Sequence, residues 1–169
     1  MVVSAILLMK AVSLPALALL AATAAAQGRL VSVPLDIPVA LRSGTFATPR
    51  NLNVPPGWTA SLLGVHGGAR FGTVAPNGDL LVTNGGTIRR FVPGAPGTAA
   101  VANNFATGLN TGHDLVFTRI GTQWWLYVGE KNRIRRARWN PGDTVVGTWE
   151  NVVTGLPDNS LPELGGAYG

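Results

Sequence analysis

The sequence predicts an all-β chain built from repeated four-stranded units. Three observations carry that expectation. Glycine (22 residues) and proline (12) cut the 169-residue chain into short segments. Those segments are runs rich in Val, Leu, Phe and Trp, bounded by Gly, Asn and Pro, and no long stretch keeps the 3.6-residue apolar period of a helix. The same order of strand and turn signals returns about 46 residues downstream.

Residues 1–26 stand apart. Lys10 is followed by the apolar run Ala11–Ala22 and by Ala24-Ala25-Ala26 before Gln27. A basic residue, an apolar core and a small-x-small site make a secretory signal. Its core is expected to be helical, but too short for a comfortable membrane span, and Pro15 interrupts it. The expectation is a secreted or periplasmic mature protein with no membrane span once the signal is cleaved; an uncleaved N-terminal anchor is the alternative. The chain has no cysteine, which excludes disulfide scaffolds and thiolate metal sites.

Residues 27–50 hold Pro34, Pro38 and Pro49 and show little periodicity, so they are read as an extended lead-in. Residues 51–169 are read as a partial β-sheet domain. A Pro-Pro-Gly turn at Pro55 precedes a strand that runs toward Leu63. Phe71–Val74 is the next strand, then Asn77-Gly78, the strongest short hairpin signal. Leu80–Thr83, the turn Asn84-Gly85-Gly86, Ile88–Val92 and a strand near Ala100–Phe105 follow. The second copy runs Leu115–Phe117, Trp124–Val128, Ile134–Arg138 and Trp149–Val153.

The match between copies is residue by residue. Leu80 lies over Leu126, Val82 over Val128, and Ile88-Arg89-Arg90 over Ile134-Arg135-Arg136. A four-stranded unit with this period is a β-propeller blade. The expected blades span roughly 60–107 and 110–154, and "GLPDNSLPELGGAYG" looks like the start of a third. Propellers close with about 4–8 blades, so the propeller is incomplete. Either the chain is an N-terminal fragment, the favoured expectation, or copies self-associate through open blade faces.

Trp124–Asp143 holds one Lys, four Arg, three Trp and a Tyr, a mixture that could suit nucleic acid. The repeat argues against it. Arg89 and Arg90 occupy the same blade positions as Arg135 and Arg136, and a strand sends successive side chains to opposite faces. No nucleic-acid partner is expected. The formal net charge of +5 is modest, and most of it sits in Lys131–Arg138. Walker, His-Glu-x-x-His and G-x-S-x-G signatures are missing.

The segments "VPPGWTASLL", "ARFGTVAPNGDLLVT", "GHDLVF", "LYVGEKNRIRRAR" and "VVTGLPD" together resemble the N-terminal part of the sorbosone and glucose dehydrogenase family. The resemblance covers about Val54–Pro157. It implies an exported six-bladed propeller that oxidises a sugar at pyrroloquinoline quinone (PQQ) held with calcium. It also implies a catalytic His shortly after "GLP" and a glycine pair. Here Gly165-Gly166 is followed by Ala167, which cannot transfer a proton, so no catalytic residue is assigned and activity of this chain alone is in doubt.

In a propeller, the residues just before each innermost strand line the mouth of the central channel. Arg70, His113 and Asp114 hold those places and are the candidate cofactor-binding residues. Arg70 offers a planar donor fork to a carboxylate-bearing quinone. His113 can accept a proton or bind a sugar hydroxyl, and Asp114 can orient either. The structural alternatives are a strand-start Arg bonded to a loop and a turn histidine. His66 is read as a solvated loop residue. Asp79 and Asp143 are read as turn residues bonding their own backbone. No metal ligands are assigned. The expected function is the N-terminal part of a PQQ-dependent sugar dehydrogenase, inactive alone. The alternatives are a non-catalytic propeller-repeat protein that binds a partner or self-assembles, and a lactonase-type propeller, for which no ligand set is present.

Overall fold

The computed structural model describes residues 3–11, as backbone, and residues 29–157. Its strands are β1 (Val3–Ala11), β2 (Val31–Asp36), β3 (Asn51–Val54), β4 (Trp58–Gly67), β5 (Gly72–Val74), β6 (Leu80–Thr83), β7 (Thr87–Val92), β8 (Val101–Thr107), β9 (Leu115–Ile120), β10 (Gln123–Glu130), β11 (Arg133–Trp139) and β12 (Glu150–Thr154). They form three four-stranded sheets, in the orders β5-β6-β7-β8, β12-β11-β10-β9 and β1-β4-β2-β3. The fold is all-β, consistent with part of a propeller.

The first two sheets are the predicted blades. Each is an antiparallel meander in chain order, because each turn is short enough to return the chain beside itself. Gly78 and Gly85 sit at φ 91° and 96°, a region that L side chains resist. The copies agree even in their irregularity. The β7–β8 register shifts between Ile88 and Arg89, and the β11–β12 register between Ile134 and Arg135. A bulge at one place in both blades redirects the following arginine in the same way.

The blades share a core of Ala75, Leu81, Ile88, Phe105, Ala106, Leu109, Leu115, Leu126, Val128 and Trp139. Leu81, Ile88 and Val128 have no exposed surface. Leu126 and Val128, two apart on β10, point to the same face of their sheet and so into this layer. Replacing a fully buried Leu by Ala in such a layer costs about 2–5 kcal/mol.

The chain divides into two compact units. The blades lie in the unit holding residues 66–93 and 101–157. The other unit, which includes residues 29–65, has its own core of Leu35, Ile37, Phe46, Val54, Ala60 and Leu62. The expected extended lead-in is therefore folded. It carries β2 and two short 3-10 turns, Val39–Leu41 and Gly44–Phe46, and β2 pairs with β3. Pro34, Pro38 and Pro49 hid this, since they break the alternation that marks a strand. The strand after Pro-Pro-Gly, β4, belongs to this sheet rather than to the first blade, whose first strand is β5.

Val3–Ala11, at the start of the expected signal segment, runs as strand β1 beside β4. An open edge of β4 offers unpaired backbone groups that an extended segment satisfies. The rest of the expected signal segment, residues 12–26, and the expected third-blade start from residue 158, with Gly165-Gly166-Ala167, lie outside the described residues.

Candidate functional site

The first strands of the two blades lie side by side, and their leading residues meet. Arg70 donates its backbone N–H to Thr83 O at 2.8 Å, and Phe71 O accepts from Thr83 N at 2.8 Å. The same Thr83 donates its hydroxyl to the backbone carbonyl of His113 at 3.2 Å. The Phe71 and His113 rings meet edge to face with centroids 5.9 Å apart. Thr83 has no exposed surface, so it clamps the start of β5 to the start of β9 from below.

The three candidates differ in what they offer. Arg70 is exposed, and its guanidinium makes no hydrogen bond or ion pair among the described residues. That leaves a charged donor fork available to an anion. His113 is half-buried, and its backbone N–H donates to Gly129 O at 2.8 Å. Asp114 is exposed, but Oδ1 accepts from Leu115 N at 2.8 Å, so half of its carboxylate caps the start of β9. Asp114 also borders a cavity of about 320 Å³ lined by Val116, Thr118, Tyr127, Gly129 and Ile134. Thr111, two residues before His113, has φ 52°, a rare state for a β-branched residue. Next to it, Gly112 packs so closely that a Cβ there would meet Leu109 Cδ2 at 2.9 Å.

The basic stretch resolves into paired charges. Glu130 is 5% exposed. It accepts from Arg133 Nε at 2.8 Å, from Arg135 Nη2, and from Asn110 N at 3.2 Å. On the other face Arg136 and Arg138 lie over the Trp125 ring at 4.1 and 5.4 Å. Arg136 also donates to Glu150 at 3.0 Å and to the Tyr127 hydroxyl at 3.3 Å. The Tyr127 bond first, then the Glu150 bond, raises its pKa above the ordinary guanidinium value. The charges split between faces as the strand period requires.

Two readings of single residues are corrected. His66 is not a solvated loop residue: it ends β4, is 6% exposed, and touches Phe91 edge to face. Burial first, and the Arg89 charge second, push its imidazole below the ordinary 6.5. The apolar run before it, Leu62 to Val65, was the signal that the strand continues. Asp79 does not bond its own turn alone: it is 5% exposed and accepts from Arg90 Nε at 2.6 Å. Asp143 is a turn residue as read, accepting from Asn140 N at 2.8 Å. Among the described residues, no three His, Cys, Asp or Glu side chains gather where they could hold a metal ion.

No family model matches this sequence, and no curated protein matches it. A solved structure that it resembles is the holo form of the pyranose dehydrogenase PQQ domain from Coprinopsis cinerea. The two agree with a TM-score of 0.52 at 17% identity, over 63% of this chain. The chain spans about a quarter, 26%, of that structure's length. At this identity the likeness bears on the fold alone, and it is consistent with the paired meanders as blades of a partial propeller.

Proposed function

We propose that these blades are part of an exported PQQ-dependent sugar dehydrogenase of the sorbosone or glucose type, and that Arg70 and His113 face its cofactor. The observation that carries the reading is the junction at Thr83, which brings the leading residues of two successive first strands together, with the Arg70 guanidinium unpaired among the described residues. The named holo structure supports the cofactor class, since it is the PQQ domain of a sugar-oxidising protein. When bound, PQQ supplies the electron acceptor for sugar oxidation.

The chain's own residues have limited parts in this reading. Arg70 holds a carboxylate through charge-assisted donors. His113 is placed by its backbone bonds and its contact with Phe71, so its imidazole orients a sugar hydroxyl or the cofactor rim. Asp114, half committed to Leu115, serves mainly to fix the start of β9. Among the described residues no three His, Cys, Asp or Glu side chains gather that could hold calcium, and no ligand is assigned to it. Two blades cannot close a ring by themselves.

The test is oxidation of glucose and sorbosone, followed by dye reduction, using the protein isolated from its native host and supplied with PQQ and calcium. Sugar-dependent reduction that requires PQQ is expected. Equal rates with and without PQQ would remove the assignment.

A further inference from the structure

Arg89 and Arg135 hold the same position in successive blades, each just past the shared bulge. Arg135 meets the buried carboxylate of Glu130. The residue at the place of Glu130 in the first blade is Asn84, whose side-chain oxygen is committed to Thr87 N at 3.0 Å. Arg89 therefore lacks the acid that its twin has. Among the described residues its guanidinium makes no ion pair and lies 5.7 Å from the Phe91 ring centroid; its buried Nε has no hydrogen-bond partner, as is also true of Arg135.

His66 lies at the same corner. Its ring packs on the same Phe91 at 6.3 Å, and its buried Nε2 also has no hydrogen-bond partner. Asn84 borders this corner too: a Cβ added to Gly68, two residues after His66, would lie 3.9 Å from Asn84 Cβ. A permanent cation without the counter-ion of its twin, beside an orphaned imidazole nitrogen on the same ring, leaves an unmet demand for an acceptor. Arg89 itself is half-buried, so the corner is not sealed.

We propose that the Arg89–His66 corner of the first blade is a carboxylate-binding site, filled from outside by the group that Glu130 supplies from within in the second blade. The carboxylate comes from a small organic acid or from an acidic side chain of a neighbouring copy. Arg89 supplies the charge and a donor, and His66 supplies a second donor through Nε2. This site uses none of the residues Arg70, His113 and Asp114 and does not rest on the proposed function.

The chain has two histidines, so their imidazole NMR signals can be followed separately in the intact protein, with His66→Gln for assignment. Sodium acetate is titrated at constant ionic strength set by chloride. The His66 titration midpoint is expected to rise saturably by about one pH unit, as a nearby opposite charge requires. Arg89→Met should abolish the rise. If that variant does not fold, Asn84→Glu should raise the midpoint without acetate and remove the response. A midpoint already raised without acetate that falls on dilution supports the site and identifies the donor as a second copy. No change with acetate or dilution, an equal change with chloride, or an undiminished acetate response in Asn84→Glu would overturn the proposal.

Discussion

Arg90 Nε lies 2.6 Å from Asp79 Oδ2, tying the third strand of the first blade to the turn between its first two strands. Asn77 Nδ2 donates to the same oxygen at 2.8 Å, and both partners of the ion pair are largely buried. The turn is thereby held by a charge rather than by its backbone alone. Asp79→Ala leaves Arg90 without its counter-ion. It should cost about 3–5 kcal/mol, the usual penalty for breaking a buried pair. Urea unfolding of the two proteins checks this, and a change under 1 kcal/mol would show that water screens the pair.

Glu130 and Glu150 provide an internal contrast. Glu130 is buried and serves two arginines and a backbone N–H, whereas Glu150 is exposed and serves only Arg136. Glu130→Gln should destabilise by about 3 kcal/mol or more. Glu150→Gln should change stability by less than about 1 kcal/mol, and less still in high salt. The same unfolding assay distinguishes them.

Thr111 at φ 52° stores backbone strain immediately before the candidate site. Thr111→Gly relieves a conformation that costs an L-residue about 1–2 kcal/mol. The entropy that glycine gains in the unfolded chain offsets part of this. Stability should rise by about 0.5–1 kcal/mol while amide exchange at Gly112 and His113 quickens. Unchanged exchange there would mean that Thr111 does not hold the loop.

The depressed pKa of His66 fixes the sign of one pH effect. Burial and Arg89 disfavour its proton in the folded chain, so the unfolded chain binds more protons below the ordinary 6.5. The histidine's contribution to stability is whole above that value and is lost as pH falls through the folded pKa. His66→Gln should flatten the decline in melting temperature between pH 6.5 and lower values. An identical pH profile in the variant would place the effect elsewhere.

The blades were legible because their signals are local. Asn77-Gly78 and Asn84-Gly85-Gly86 mark turns by backbone geometry, and the repeat confirms each strand by its copy. The first unit was not legible, because Pro34 and Pro49 mask β2 and β3, whose pairing joins residues far apart in sequence. The repeat placed Arg70 and His113 just before the first strand of each blade, and there they precede β5 and β9. Their meeting through Thr83, and the roles of His66, Asp79 and Glu130, depend on which buried atoms face each other, which spacing does not encode.

In the proposed function Arg70 is the anion-binding side chain at the junction of the two first strands. The direct test is a PQQ titration followed by quenching of tryptophan fluorescence, comparing the native-host protein with its Arg70→Ala and Arg89→Met variants. Loss of a charge-assisted bond should weaken PQQ binding about tenfold to a hundredfold in Arg70→Ala and leave it unchanged in Arg89→Met. Equal binding by all three proteins, or no saturable binding by any of them, would contradict it.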